Sequence, residues 1–361
     1  MCPNRKFNRQ AGFSMMELLI SLATMTIITG CAFALIGGSI RFTSATFHIT
    51  DAEQTMRTAH EIINRDLTTA GDGLRGINTI TVPRGFVLNY LTHTPDPTDP
   101  NYVNLGLVVS DDDVPGTTAV AQSNPARNVL DGSDRLTMLT RDTSFQPPVS
   151  LVAGKITSSG ANTNIAVTAA ELPRFQVGEI YAITAQNSMA FGVITSINTV
   201  TNTLVMSNGD TYGINQTGPL TPINTVSTII SGVNTQAASI IRMQIIHYYV
   251  NSNNSVNSNN LLVRRVFGVR GGGFVDSVIA EHVTNLQFRY LVNLPDPNGF
   301  LPQPVRQLSP LQQTAVREVE TTIRVETVRA VNAVTANDNG RQSISTTTAT
   351  TVRNLQFRKA L

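Results

Sequence analysis

A single carboxylate stands at the start of a long uncharged segment. Residues 12–17 read Gly-Phe-Ser-Met-Met-Glu, and no charged residue occurs from 18 to 40. On insertion scales, an acidic side chain at the centre of a membrane helix costs about 2.5–3.5 kcal/mol. Glu17 therefore needs either a positively charged partner within the membrane or a position close to the headgroups.

The residues before Gly12 are basic. Arg5, Lys6 and Arg9 occur there without any acidic residue, and such a flank keeps the N-terminus in the cytoplasm while the following segment crosses outward. A secretory signal has its small-residue cleavage site after the apolar run. Here the small residue precedes the apolar run, so a cut after Gly12 removes the leader and leaves the apolar segment on the mature chain.

This order of a basic leader, Gly12, Phe13 and then Glu17 as the fifth mature residue resembles the class III signal of type IV prepilins and type II secretion pseudopilins. The resemblance implies that a prepilin peptidase cuts between Gly12 and Phe13 and N-methylates Phe13. It also implies that Glu17 docks against the terminal amine of a neighbouring subunit, since opposite charges attract strongly in a low dielectric. The alternative is a plain signal anchor in which Glu17 reaches the cytoplasmic headgroups.

The composition is typical of a secreted, β-rich protein. The 361 residues suffice for one large or two modest domains. Three of the 26 basic residues lie in the leader, which leaves 23 against 24 acidic ones. The pI of 8.6 therefore does not indicate nucleic-acid binding, and Arg264 with Arg265 is an isolated pair. Cys2 lies in the leader and Cys31 in the apolar segment, so the remaining chain has no cysteine for a disulfide.

A continuous helix over residues 13–70 must position Glu17. Its first part, 13–40, is the predicted transmembrane segment. From Phe42 onward, apolar residues recur at spacings of three and four with charged residues between them, which is typical of an amphipathic helix. No proline interrupts residues 13–70, and Gly71-Asp72-Gly73 is expected to end the helix. Gly30, Gly37 and Gly38 either mark kinks in the helix or sites where another helix approaches closely, or they only reflect the usual composition of a membrane-spanning segment.

Residues 71–361 are predicted to form a large antiparallel β-rich head, so that the whole chain is α+β. An inserted β-subdomain is expected at about 145–232, and the polar run 252–260 suits a hairpin tip. The predicted strands cover residues 77–82, 103–109, 135–140, 179–184, 191–197, 203–206, 240–250, 260–269, 286–292, 316–328 and 343–357.

Segments of this head are similar to the helix end and C-terminal strands of PilW-like minor pilins. The similar segments are residues 63–67, 279–290, 319–328 and 352–354. The pentapeptide Asn-Leu-Gln-Phe-Arg occurs at 285–289 and again at 354–358. Both copies are predicted to be strands that converged on one alternating pattern, and a duplication is the alternative.

Residue patterns for catalysis are weak. His48, His60, His93, His247 and His282 are scattered without a second ligand at fixed spacing, so no zinc site or other cofactor is predicted and the protein is not expected to be an enzyme. The glycine-rich run at 270–273 lies between strands, where a turn is expected and a phosphate loop is not. The carboxylates of Asp111, Asp112 and Asp113 form either a solvated acidic loop, which is the expectation, or a calcium site.

The resemblance implies a minor pilin that initiates or caps type IV pilus assembly, with its helix in the filament core and its head at or near the tip. Its partners would be the prepilin peptidase, other minor and major pilins and the inner-membrane assembly platform. It would first lie in the inner membrane with a periplasmic head and then in the fibre. The alternatives are a type II secretion pseudopilin of the J family, a tip adhesin and a DNA-uptake module, although no nucleic acid is expected as a partner.

Overall fold

The computed structural model describes a defined part of the chain. It covers residues 12, 14–74, 79–91, 102–114, 129–151, 156–159, 162–185, 188–215, 238–252, 259–269, 273–292, 304–309, 312–331 and 340–356. These residues fall into two compact units. One unit contains the chain up to Asp51 together with Thr327–Gln342, and the other contains Ala52–Glu326 and Ser343–Leu361.

Helix α1 (Met15–Thr69) is a single uninterrupted helix of 55 residues, and at 1.5 Å per residue it is about 80 Å long. It continues through Gly30, Gly37 and Gly38, beside which no atom would contact an added Cβ. By length and composition its first part can cross a membrane. In the same unit, the backbone N–H of Thr327 donates to the carbonyl of Gln342 at 2.9 Å.

The rest of the structure is almost entirely antiparallel β-sheet, which confirms the α+β class. Among the described residues the strands are β1 (Thr79–Pro83), β2 (Tyr102–Gly106), β3 (Val108–Val114), β4 (Ser133–Arg141), β5 (Val149–Leu151), β6 (Ile156–Ser159), β7 (Asn162–Ala166), β8 (Ile180–Ala185), β9 (Ser188–Val193), β10 (Ser196–Asn198), β11 (Thr203–Met206), β12 (Ala238–Asn251), β13 (Leu261–Phe267), β14 (Phe274–Ala280), β15 (Val283–Val292), β16 (Val316–Glu326) and β17 (Ser343–Thr351).

Short helical segments complete the described part. They are α2 (Arg84–Phe86), a π-helical turn (Val87–Leu91), 3-10 turns (Leu172–Arg174 and Gln312–Thr314) and the last helix, α3 (Arg353–Gln356).

The largest sheet is organised around β12. Its first half pairs with β5 and β8, and its second half with β4 and β13. Strand β14 continues the sheet beyond β13, β3 lies beyond β4, and β9 pairs with β8. Strands β12 and β13 form a hairpin in which Asn251 faces Leu261, and the predicted tip at 253–258 lies outside the described residues.

Smaller sheets accompany it. Strands β15, β16 and β17 form a three-stranded sheet, β10, β11, β7 and β6 a four-stranded one, and β1 with β2 a two-stranded one. The four-stranded sheet lies in the range where an inserted subdomain is expected, and it covers a separate apolar cluster that includes Phe175, Tyr181 and Leu204.

The second half of α1 packs on the main core. Met56, Ala59, Ile63 and Leu67 are at most 2% exposed and belong to the cluster formed with the sheets. Full burial of such side chains contributes about 1.5–3 kcal/mol each. Their spacing of three and four along the sequence is the pattern that predicted the amphipathic half, whereas Phe42, at the start of that predicted stripe, is 74% exposed.

The structure corrects several predicted elements. The predicted strand 103–109 is two strands, β2 and β3, and the predicted strand 191–197 is divided between β9 and β10. Strands β5, β6, β7 and β14 were not predicted. The predicted strand 343–357 ends at Thr351, and the second Asn-Leu-Gln-Phe-Arg copy begins in helix α3 while the first lies in strand β15, so the two copies are not equivalent strands.

Candidate functional site

The predicted processing site lies just before α1. Gly12 and Ser14 are exposed, whereas Phe13 and the leader residues before Gly12 lie outside the described residues. The helix begins at Met15, so Gly12 precedes its first turn. Gly12 therefore lies outside the helix.

Ser14 and Glu17 hold the first turn of α1 together. The backbone N–H of Ser14 donates to Oε2 of Glu17 at 3.0 Å, and the backbone N–H of Met16 donates to Oγ of Ser14 at 3.4 Å. This is a capping box, in which two N–H groups at a helix start are satisfied by side chains three residues apart. This motif was not predicted, although Ser-x-x-Glu before an apolar run is its signature. The carboxylate of Glu17 thus has a local partner at the positive end of the helix dipole.

The surface of the first part of α1 is apolar and exposed. Every described side chain from Ser14 to Ser44 is exposed to solvent. Surfaces of this size and polarity are found where a protein meets a membrane or another protein. The large exposed apolar residues are Met15, Met16, Leu18, Leu19, Ile20, Leu22, Met25, Ile27, Ile28, Phe33, Leu35, Ile36 and Ile40.

The hydroxyl groups in this apolar segment bind within the helix. Ser21 donates to the carbonyl of Glu17 at 2.6 Å, Thr24 to that of Ile20 at 3.0 Å, and Thr29 to that of Met25 at 2.7 Å. A hydroxyl satisfied in this way carries no unmet hydrogen bond into hydrocarbon. The segment therefore presents an apolar surface despite its polar residues.

A buried ion pair fixes the other end of α1 to the large sheet. Asp66 is 5% exposed, and its Oδ2 accepts hydrogen bonds from Nε of Arg264 and, at 2.7 Å, from the hydroxyl of Tyr248. Burial, with the charge of Asp66 adjacent, raises the pKa of Tyr248 well above its ordinary value. Arg264 therefore forms an ion pair with Asp66, and the adjacent Arg265 forms one with Asp276.

The C-terminal end of α1 is held from two directions. Gly71 has a φ of +74°, and its N–H donates to the carbonyl of Leu139 in β4 at 2.7 Å. The hydroxyl of Thr140 donates to the carbonyl of Thr69 at 2.9 Å, and the amide of Asn354 donates to the carbonyl of Ala70 at 3.2 Å. The bonds from Thr140 and Asn354 go to carbonyls of the last helical turn, where intrahelical N–H partners run out.

The acidic run 111–113 is not a loop. Asp111, Asp112 and Asp113 lie in β3, so the expected loop is part of a strand, although its pairing with β4 is irregular between Asp111 and Val114. Asp111 is only 9% exposed, whereas Asp113 is exposed to solvent as expected. The antiparallel pairing of β3 with β4 brings a fourth carboxylate, that of Asp134, to the run. Oxygen atoms of Asp112, Asp113 and Asp134 lie within 4.8 Å of one another, whereas Asp111 is not part of this group.

Asp134 is the most buried member of this group. It is 1% exposed, and its carboxylate accepts hydrogen bonds from the backbone N–H groups of Asp113 at 2.9 Å and Phe288 at 2.6 Å. Burial raises the pKa of Asp134 to about 7, although the two N–H groups favour its charged form, and the charges of Asp112 and Asp113 add to the rise. Because Asp134 comes from another strand, the spacing of the acidic run could not reveal it.

Of the remaining candidate residues, His93 lies outside the described residues, and the described ones do not converge on one site. His60 and His247 are buried and bind threonine hydroxyls, and of the glycine-rich run only Gly273 is described. Within the described ranges, Asp112, Asp113 and Asp134 are the one group of three or more acidic, histidine or cysteine side chains placed to hold a metal ion.

Comparison with known proteins gives no assignment. The chain matches no protein-family model, no curated protein and no solved structure. A function must therefore be inferred from the residues of the chain and from the geometry just described.

Proposed function

We propose that the protein is a minor pilin that takes part in initiating or capping type IV pilus assembly. The observation that carries the proposal is the combination of the Gly12-Phe13-Ser14-Met15-Met16-Glu17 sequence with a helix that is wholly exposed and apolar in its first part and packed on a β-rich body in its second. The role is one of assembly and not of catalysis.

The apolar part of α1 is suited to two successive environments, the membrane and the fibre. In the inner membrane it spans the bilayer as a single segment with the head on the periplasmic side. In the fibre the same surface packs against the helices of other minor and major pilins. A surface that must suit both lipid and helices cannot have fixed polar partners, and its hydroxyl groups bind within the helix instead.

The capping box gives Glu17 two functions that can be separated. One is local, because its carboxylate accepts the Ser14 N–H and stabilises the first turn. The other function, which we propose, is that its negative charge attracts the terminal amine of a neighbouring subunit. A capping glutamate is held in one orientation at the membrane end of the helix, so the hydrogen bond orients the charge towards an incoming amine.

The first test is the mature N-terminus of the full-length protein, read by mass spectrometry of membranes from its own host. We expect a chain that begins at N-methylated Phe13. A Gly12→Leu variant should keep the whole leader, residues 1–12, and stay out of the fibre, because the peptidase requires a residue without a bulky side chain before the cut. A chain that keeps the leader and is still functional would refute the proposal in favour of a plain signal anchor.

The second test separates charge from capping. Glu17→Gln keeps an oxygen that can accept the Ser14 N–H but removes the charge, whereas Ser14→Ala removes one capping bond and keeps the charge. Measured as protein recovered in sheared pili, incorporation should fall strongly in Glu17→Gln and little in Ser14→Ala. The reverse order would show that Glu17 acts only as a helix cap.

The same assay distinguishes the rival secretion pseudopilin. If the protein is a minor pilin, deletion of its gene should reduce the number of surface pili. If it is a secretion pseudopilin, the deletion should instead reduce the secretion of exported enzymes. A deletion strain with normal pili and defective secretion would therefore overturn the pilus assignment while leaving the N-terminal chemistry intact.

A further inference from the structure

We infer that Asp112, Asp113 and Asp134 form a calcium-binding site in the β-rich body. Their carboxylate oxygens lie within 4.8 Å of one another, a separation that one cation can bridge. All three donors are oxygen atoms, with no histidine or cysteine among them, which selects a hard cation. This inference does not depend on the proposed function of the helix.

A second observation points to a missing partner at the same place. The hydroxyl of Tyr290 is completely buried and has no hydrogen-bond partner. The charges that act on it are those of Asp134, Asp111 and Asp112. The Ser110 hydroxyl also interacts with it, without the geometry of a regular hydrogen bond, and Ser110 Oγ accepts the N–H of Leu308 at 3.0 Å. Oδ1 of Asp112 is buried and likewise has no hydrogen-bond partner. Buried polar atoms without partners are costly, and a cation with bound water would supply partners to both.

Calcium suits this site better than magnesium. Magnesium requires a tight octahedral shell and loses its water reluctantly, whereas calcium accepts six to eight oxygen ligands in flexible geometry. The three side chains come from two strands whose backbone fixes their positions. Asp134 is further committed to two backbone N–H groups. A larger cation with a flexible shell suits a site in which the most buried donor, Asp134, is held in place.

The cluster joins two sheets. Asp134 in β4 accepts the N–H of Phe288 in β15, and the amide of Gln287 donates to Oδ1 of Asp113 at 3.1 Å and to the carbonyl of Gly132 at 2.9 Å. A bound ion would therefore fix the edge of the eight-stranded sheet to the three-stranded one. A surface depression of about 460 Å³, lined in part by Asp113, Gly132 and Gln287, adjoins the group on the side of Asp113.

One basic side chain competes with the ion. Nη1 of Arg306 lies 3.7 Å from Oδ2 of Asp113, and both side chains are 54% exposed. An exposed pair at that distance is weak and screened by salt. Arg135, the other nearby cation, faces Asp111. Neither arginine balances the charge of the three carboxylates, so a divalent ion has an electrostatic advantage at this site.

Terbium luminescence tests the inference on the full-length chain in detergent micelles. Terbium replaces calcium, and the chain has no tryptophan, so its tyrosines are the sensitisers. We expect saturable luminescence that calcium displaces and an equal concentration of magnesium does not, with affinity in the range of about 10⁻⁴–10⁻³ M typical of extracellular modules. Absence of saturable luminescence at these concentrations would overturn the inference.

Variants localise the signal. The double variant Asp112→Asn/Asp113→Asn should weaken terbium and calcium binding at least about ten-fold. Asparagine tolerates the left-handed backbone of Asp113, whose φ is +42°, so this variant should fold. Glu281→Gln, which removes an exposed acid from the same body, is the matched control and should bind normally.

Tyr290→Phe supplies a separate reading. It should lower the luminescence at saturation, because the phenol of tyrosine absorbs at the excitation wavelength and the phenyl ring of phenylalanine does not. Calcium affinity, measured by calorimetry, should change little, because the three carboxylates remain. Unchanged affinity in the double aspartate variant, or unchanged luminescence in Tyr290→Phe, would place the ion elsewhere and refute the assignment.

Discussion

Replacing Asp66 with asparagine should strongly destabilise the packing of α1 on the large sheet. Asp66 is 5% exposed, and the side chain of its partner Arg264 is 19% exposed. Without the carboxylate, the guanidinium of Arg264 stays largely buried without an opposite charge. Breaking a buried ion pair costs about 3–5 kcal/mol, and the remaining exposure of Arg264 points to the lower end, about 3 kcal/mol.

The assay is a urea titration of the full-length protein in non-ionic micelles, followed by circular dichroism of the β-sheet. Tyr248→Phe removes only one hydrogen bond to Asp66 and should cost about 1 kcal/mol. Glu61→Gln, an exposed acid on the same helix, should change the stability by less than about 0.5 kcal/mol. The double variant Asp66→Leu/Arg264→Met should recover most of the loss, because an apolar pair leaves no charge buried.

The order of these values is the critical result. A stability loss for Asp66→Asn no larger than that for Glu61→Gln would show that the pair contributes nothing to the packing of α1. A double variant as unstable as Asp66→Asn would show that the loss comes from repacking and not from a stranded charge.

Three further predictions use the same titration. Gly71→Ala should cost about 1–2 kcal/mol, since its φ is +74° and an added Cβ would lie 3.1 Å from Leu355 and 3.3 Å from Leu107; no measurable loss would contradict the described helix end. Burial lowers the pKa of His60 below 6.5. The stability that neutral His60 contributes to the fold is therefore present above pH 6.5 and is lost as the pH falls through the lowered pKa. Between about pH 7.5 and about pH 5 the wild type should therefore lose more stability than His60→Gln, and equal losses would refute this. Burial raises the pKa of Asp134 from 3.8 to about 7. The stability that protonated Asp134 contributes to the fold is therefore complete below pH 3.8 and is lost as the pH rises through about 7. With chelator present the loss is at most about 4 kcal/mol and should be absent in Asp134→Asn, where a persistent decline would point to another group.

The helix was the part of the fold most accessible from sequence. The apolar residues Met56, Ala59, Ile63 and Leu67 recur with helical period, and each is buried as that period requires. The C-terminal end of the helix was also predictable, because Gly71 and Gly73, which the sequence places there, have positive φ. These are local signals, which depend on neighbours within a few residues.

Long-range partners were not accessible. Nothing near Asp66 in the sequence indicates Arg264, and nothing near the acidic run indicates Asp134. Tertiary context also overrode local pattern, since Asn-Leu-Gln begins a helical turn at 354 and lies in a strand at 285. The missed capping box is a different case, because Ser14 and Glu17 carried its full signature.

The way in which α1 ends has a mechanical consequence. The carbonyls of consecutive residues Thr69 and Ala70 are bonded to Thr140 and Asn354, which belong to distant parts of the chain. Because the two carbonyls belong to adjacent residues, tension applied along the helix would load both attachments together. A body anchored in this manner is suited to being pulled.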